Sequence, residues 1–312
     1  MASSTATTPL VDHIVILVPH SFLSAPPPSF SEAFRFHPGG RHADGRTENS
    51  LVYLADGAYL EFIAFVPGLD PAERAAHHWG SKKEGAVVDW AVTLPSTPED
   101  VAEREKEKEK GTAEEGAETQ DLRQEKLFRE VQRKVRERNT GIAYGDLRRG
   151  GRIRPDGEVL KWSVAFARRE DGEPLELGTV PFWCVDVTPR YLRVPFEQPG
   201  NAEHPSGAVG VAKVEVLPAL SKTAESAKGV YDALFEGRRA AETGGEWDLS
   251  SLAGEKVHSG GVVRLGARDG PARIDISFFT DDESWVGREV GGKIDEGHTL
   301  TFHLVAASGG AK

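Results

Sequence analysis

Apolar residues along this chain fall mainly in short runs rich in β-branched and aromatic side chains, separated by turn residues. That is the pattern of strands. "DHIVILVP" (Asp12 to Pro19) is the first, and "AVVDWAVTL", "GTVPFWCVDVTP", "AVGVAKVEVLP" and "TLTFHLVAAS" repeat the character. "NSLVYLADGAYLEFIAFV" places an Asp-Gly turn between two such runs, a strong hairpin pattern. Helical spacing appears in two places. In "DLRQEKLFREVQRKVRERN" a stripe of Leu127, Val131 and Val135 is flanked by Leu122 and Phe128, with Glu125–Arg129 and Glu130–Lys134 as favourable pairs. In "SKTAESAKGVYDALFEG", Ala224, Ala227, Val230, Tyr231, Leu234 and Phe235 share one side. Pro26 to Pro28 restrict any earlier helix to a short piece around Phe30 to Phe34. "STPED" is a good helix start, with Thr97 as cap and Pro98 at the first position.

Laid over one another, these segments repeat. "DHIVILVP" matches "DWAVTLPS" and "GVAKVEVLP", and "LADGAYLEFIAF" matches "GARDGPARIDISFF". The unit is a strand, a helical segment, a connecting strand or loop and a hairpin, with a period of roughly 60 residues. Helices on one face of mostly antiparallel sheets predict an α+β fold, in which curved sheets pair to form a cleft. "VAEREKEKEKGTAEEGAETQ" lacks an apolar face and reads as a charged insertion, solvated or disordered, at about 99–121. "RYLRVPFEQPGNAEHPSG", with three prolines, reads as a linker.

Composition narrows the function. A net charge of -11 argues against nucleic acid and anionic lipid as partners. The lone cysteine, Cys184, rules out an intrachain disulfide. No apolar stretch has the length of a membrane span or signal peptide, so a cytoplasmic protein is expected. There is no GxxxxGK[ST] phosphate loop. "PGGRHADGRTEN" gathers Arg41, His42, Arg46 and Asn49 in a glycine-rich stretch where polar groups can grip a carboxylate or carbonyl, and His42 is a candidate general base. "GGRIRPDGEVLKW" adds Arg152, Arg154 and Trp162, with Arg154 taken as the candidate contact to a ligand. Arg190 and Arg193 read as interdomain contacts, and the pair His77–His78 as a weak metal lead.

Together, "VDHIVILVP", "GGRH", "GRTENSLVYLADGAYLEFIAF", "RIRPDGEVLKW" and "VPFWCVDVTP" resemble glyoxalase-like domain proteins of the vicinal oxygen chelate superfamily, over about residues 9 to 190. The resemblance implies βαβββ modules paired around an open metal site. It places the modules at 9–68 and 85–190 of a core spanning 9–195, a linker at 196–206, and a third βαβββ-like half-domain at 207–308. It also implies His13 and Glu61 as ligands for zinc, iron, manganese or nickel, from the first and last strands of a module. Read without it, His13 is equally a satisfied polar residue at a strand start and Glu61 a solvent-facing one. In the second module Trp90 occupies the place of His13 and cannot ligate a metal, so it is expected to form an aromatic wall of the cleft. Cys184 or Asp186 is the candidate donor on the matching last strand, and in the third unit Ala212 and Asp275 take the two positions. The function implied is metal-assisted lyase or isomerase chemistry on a small oxygen-rich molecule, with His42 and Arg41 handling the substrate and Asn49, Trp90 and Arg154 binding it. The alternatives are a metal-free binding or sequestering protein, and a scaffold whose third unit drives homodimerisation.

Overall fold

The structure is a computed structural model that describes residues 8–95, 113–219, 221–237, 245–258, 260–266, 268 and 270–307. Two modules build its first part. One runs β1 (Leu10–Leu17), α1 (His20–Ser24), α2 (Pro28–Ser31), β2 (His37–His42), β3 (Thr47–Tyr53) and β4 (Tyr59–Phe65). A short helix α3 (Pro71–Ala75) leads to the other, which runs β5 (Ala86–Thr93), α4 (Ala113–Arg136), β6 (Ile142–Tyr144), β7 (Arg148–Ile153), β8 (Val159–Ala165), β9 (Ala167–Arg169) and β10 (Phe182–Asp186). In each module the first strand lies parallel to the last, β1 with β4 and β5 with β10. Antiparallel pairing of β1 with β5 and of β2 with β7 joins the halves. The result is a closed eight-stranded barrel in the order β1-β4-β3-β2-β7-β8-β10-β5, with β6 and β9 paired outside it. The glycine-rich stretch expected as a loop is strand β2, with a bulge between Pro38 and Gly40.

Closure explains why β4 is buried along its whole length. Successive side chains point to opposite faces. Leu60, Phe62 and Ala64 face outward into the main core, while Ile63 and Phe65 point into the barrel with Val15, Leu17, Ala91 and Phe182. Tyr59 packs toward the other end with Leu51, Tyr53 and Val194. Glu61 therefore faces neither solvent nor the outer core but the barrel's interior, between two apolar layers.

The prolines act as the sequence predicts, with a small shift: Pro28 sits at the first turn of α2, which ends at Ser31. Helix α4 buries Phe128, Val131 and Val135 as its stripe requires. Arg129 pairs with Glu125 at 3.3 Å, while Glu130 pairs with Arg133. The helix start expected at Thr97 and Pro98, and the first part of the charged insertion, lie outside the described residues.

After α5 (Arg190–Arg193) come β11 (Ala208–Leu217), α6 (Ser221–Leu234), β12 (Gly245–Leu249), α7 (Gly254–Val257), β13 (Gly261–Leu265), β14 (Arg273–Thr280), β15 (Glu289–Lys293) and β16 (Thr299–Ala306). These strands form one open sheet of six, β12-β13-β11-β14-β16-β15. β11 is parallel to β13, β14 is parallel to β16, and the two halves meet along the antiparallel β11·β14 ladder. This is two strands more than one βαβββ module carries. The stretch read as a linker is pinned to the barrel: His204 Nε2 lies 2.7 Å from the Tyr53 carbonyl, and the Ser206 hydroxyl donates to the Ala33 carbonyl at 2.7 Å.

The sheet docks on the barrel through apolar and polar contacts. Trp90 is fully buried on the barrel's outside, stacked on Phe235 with ring centroids 6.1 Å apart and tilted against Tyr231. The Asp-Gly turn between β3 and β4 inserts into the sheet side. Asp56 donates its N–H to the Val209 carbonyl at 3.0 Å and accepts from the Val211 N–H at 3.0 Å, and His258 Nε2 lies 3.2 Å from its carboxylate.

Candidate functional site

A cavity of about 390 Å³ occupies the barrel interior, and its polar centre is built by the first module. A register shift between Val11 and His13 takes Asp12 out of the β1·β5 ladder. Such a bulge re-aims neighbouring side chains, and here His13 lies against the interior rings of Tyr59 and Phe182. Tyr59 stacks on it at 4.7 Å and Phe182 meets it edge-on at 5.3 Å. His13 Nδ1 lies 2.5 Å from Asp12 Oδ1, which leaves Nε2 for the cavity.

Glu61 is the hub. His13 Nε2 stands 3.6 Å from one of its oxygens, and His42 Nε2 stands 3.4 Å from the other. Asn49 donates to that second oxygen at 2.6 Å. His42 Nδ1 is tied to the Thr47 hydroxyl at 2.8 Å, so its Nε2 also points inward. Burial raises the Glu61 pKa, but contacts with His42, His13 and Asn49 outweigh it and bring the carboxyl down to about 2. Gly39 makes this possible, because a Cβ there would fall 1.9 Å from Asn49 Oδ1.

Behind His13 lies a buried charge network. Asp12 is fully buried and accepts from Arg190 at 2.5 Å and from Arg193 at 2.8 and 2.9 Å. Asp186 receives Arg193 at 2.6 Å and Arg190 at 3.2 Å. Arg193 also donates to the Tyr59 hydroxyl at 2.8 Å, and Arg190 to the Gly57 carbonyl at 2.7 Å. Burial alone would raise the Asp12 carboxyl, yet the two guanidiniums hold it well below the usual range. Arg190 and Arg193, expected as interdomain contacts, therefore brace the candidate site. Their spacing in "RYLR" puts both on one side of a single helical turn, which is the pattern that could have identified them.

The second module supplies walls. Trp162, Val164, Phe166, Phe182, Cys184 and Arg152 line the cavity, with Trp79 and the adjacent His77 and His78 also on it. His78 Nε2 is 3.6 Å from Asp89, and His77 Nε2 is 3.9 Å from Asp44. Burial lowers the His77 pKa, so its ring is neutral near pH 7.

The expected site residues divide accordingly. His13, His42, Asn49 and Glu61 come together. Arg41, Trp90 and Arg154 do not. The Arg41 side chain is 58% exposed and binds the Gly45 carbonyl, because it alternates with His42 along β2 and so faces outward. Trp90 is no cleft wall: strand parity turns Ala91 inward and Trp90 into the outer core. Arg154, past the end of β7, is held by the Leu192 carbonyl and Asp156 and lines a separate shallow cleft of about 240 Å³. Arg152, two residues earlier, is the one that reaches the cavity. Asp186 is consumed by the arginines, and Asp275, on the six-stranded sheet, pairs with Arg273 and does not line the cavity.

Two donor sets could hold a metal. Asp12, His13 and Cys184 are buried with ligand atoms within 4.8 Å of one another. That set is a poor fit, since both Asp12 oxygens face arginines and burial pushes the Cys184 thiol well up, away from the thiolate a metal needs. By donor chemistry His13, His42 and Glu61 fit better, as two histidines and one carboxylate suit iron, zinc, manganese or nickel with positions left open, and their Nε2 atoms approach different oxygens of Glu61.

A closed barrel of two βαβββ modules, with histidine and glutamate side chains inside it, is a glyoxalase-like fold. The family profile described as a glyoxalase-like domain matches residues 11–234, and the chain belongs to that family. Among solved structures, a hypothetical protein from Staphylococcus aureus superposes with a TM-score of 0.61 at 12% identity, covering 95% of this chain and all of that one. That likeness shows the fold. A xylose isomerase-like TIM barrel/4-hydroxyphenylpyruvate dioxygenase fusion protein aligns at 13% identity and a TM-score of 0.42, over 90% of this chain and 38% of that chain. No curated protein matches the chain.

Proposed function

We propose that the chain is a metal-assisted lyase or isomerase that acts on a small oxygen-rich molecule inside the barrel. The observation that supports it is the convergence of His13 Nε2 and His42 Nε2 on the two oxygens of Glu61, at 3.6 and 3.4 Å, in a cavity of about 390 Å³. These three side chains would hold the ion, whose contribution is to draw electron density from carbonyl oxygens and ease loss of a neighbouring proton. Asp12 fixes the His13 ring so that Nε2 presents its lone pair, a support that usually raises ligand basicity. Asn49 orients Glu61. With His42 occupied as a ligand, His77 becomes the group to accept a proton, neutral and on the cavity wall. Phe182, Trp162 and Phe166 keep water from the ligand.

Metal content of the purified protein tests this reading beside His13→Ala, His42→Ala and Glu61→Gln. Near-stoichiometric metal in the wild type and its loss in each variant is the expected result, to be followed by a screen of 2-oxoaldehydes and vicinal diols. A folded protein that takes up none of zinc, iron, manganese or nickel on reconstitution would instead be a metal-free binding protein. The contacts of Asn49, His13 and His42 with Glu61, which already satisfy that carboxylate, are the observation favouring this second reading.

A further inference from the structure

Deep in the barrel one cation lacks a counter-charge. Arg152 is 4% exposed and lines the cavity, and among the described residues it forms no ion pair with a carboxylate. Its Nη1 donates to the Gly39 carbonyl, and its guanidinium also hydrogen-bonds the Tyr53 hydroxyl, neither of which carries a full negative charge. Arg190 and Arg193 are buried to a similar degree, yet both share Asp12 and Asp186. Glu61, whose charge acts on Arg152, is engaged by Asn49 and approached by both histidines. A buried guanidinium without a carboxylate is costly to fold around, and proteins keep such a group where a ligand supplies the missing charge. The surroundings agree. In a chain of net charge -11, this cavity is lined by Arg46, Arg149 and Arg152, beside Arg193, whose charge Asp12 and Asp186 already meet, with Asp44 and Glu61 as the carboxylates of its wall. The same cavity is lined by the flat rings of Trp162, Phe166 and Phe182, in a space of about 390 Å³.

We infer that the ligand of this cavity is a small organic carboxylate with a flat apolar body, its carboxylate bound by Arg152 and its ring against Trp162 and Phe182. A planar guanidinium matches a carboxylate with two parallel hydrogen bonds, and an aromatic wall rewards a ring over an alkyl chain. The inference rests on the reading of this cavity as the functional site but not on any metal in it.

The test is calorimetric titration of chelator-treated protein with benzoate and with its neutral isostere benzamide. Benzoate is expected to bind at least about tenfold tighter. Arg152→Met should bring the two within about twofold while leaving benzamide binding in place, and Arg152→Lys should keep part of the preference. Arg154→Gln, on the separate cleft that Arg152 also borders, should change nothing. Equal affinities in the wild type, no binding of either probe, a preference that survives Arg152→Met, or one lost in Arg154→Gln would each overturn the inference. If Arg152→Met does not fold, the wild-type ratio and the lysine variant still decide. Because the titration is run without metal, a failed metal assay leaves its outcome intact, and a failed titration leaves metal content unexplained by Arg152.

Discussion

Asp12 and His13 are neighbours in the chain with different tasks. One is locked into a salt-bridged cage, and the other is steered by that cage into the cavity. Asp12→Asn keeps the shape but leaves Arg190 and Arg193 sharing Asp186 alone, so it should cost about 3 kcal/mol or more by denaturant unfolding. The same experiment on Arg41→Ala should show a change within about 0.5 kcal/mol, since that side chain is largely in solvent. Glu61 makes a pH prediction whose sign is clear. Its carboxyl falls from an ordinary 4.5 to about 2 on folding. A depressed carboxyl stabilises the fold above its unfolded pKa, and that contribution is lost as pH falls toward the folded value. Thermal unfolding of metal-free wild type and Glu61→Gln should therefore differ most above about pH 5 and converge only as pH falls through about 2. A gap that stays constant or widens on acidification would show that Glu61 is not held ionised by its neighbours.

At the scale of elements, the site depends on strands meeting face to face. β2 is paired with β3 on one side and reaches β7 on the other, and its Gly39 leaves the space that Asn49 fills. Gly39→Ala should push Asn49 off Glu61 and lower metal affinity by about tenfold to a hundredfold, as loss of outer support to a ligand does. Metal competition with a chromophoric chelator reads this, and an unchanged affinity would separate Asn49 from the donor set. Much at this scale was legible. The hairpin with its Asp-Gly turn, the stripe of α4 and the recurrence of modules followed from periodicity alone. Which of two neighbouring side chains faces inward, His42 or Arg41 and Ala91 or Trp90, did not. A bulge at Asp12 and a second shift between Val15 and Ile16 alter the parity of the β1·β5 ladder, and no local pattern announces a bulge.

For the whole molecule, barrel and six-stranded sheet share one apolar core. Trp90 from the barrel, Tyr231 and Phe235 from the region of α6, and Phe278 and Phe302 from the sheet belong to one continuous cluster. Unfolding should accordingly be a single transition with coincident fluorescence and circular dichroism curves. Trp90→Ala should destabilise barrel and sheet together by about 3 to 5 kcal/mol while leaving metal content unchanged at low temperature. Two separate transitions, or loss of metal from a folded Trp90→Ala, would mean that the units are independent or that Trp90 belongs to the cavity after all. Among the described residues no helix is long and apolar enough to cross a membrane.

Sequence by itself determined the α+β class, the repeated modules, and His13 and Glu61 as a pair of polar residues set in strands that otherwise read as core. Those features are local or periodic, so they are written in neighbouring residues. Only the tertiary structure decided that the sheets close into a barrel, that His42 joins His13 at Glu61, that Arg152 rather than Arg154 enters the cavity, and that Trp90 leaves it. Each of these depends on pairing between strands far apart in the chain: a shift of one residue turns a side chain such as Trp90 from one face to the other, and the end of β7 at Ile153 leaves Arg154 outside the barrel.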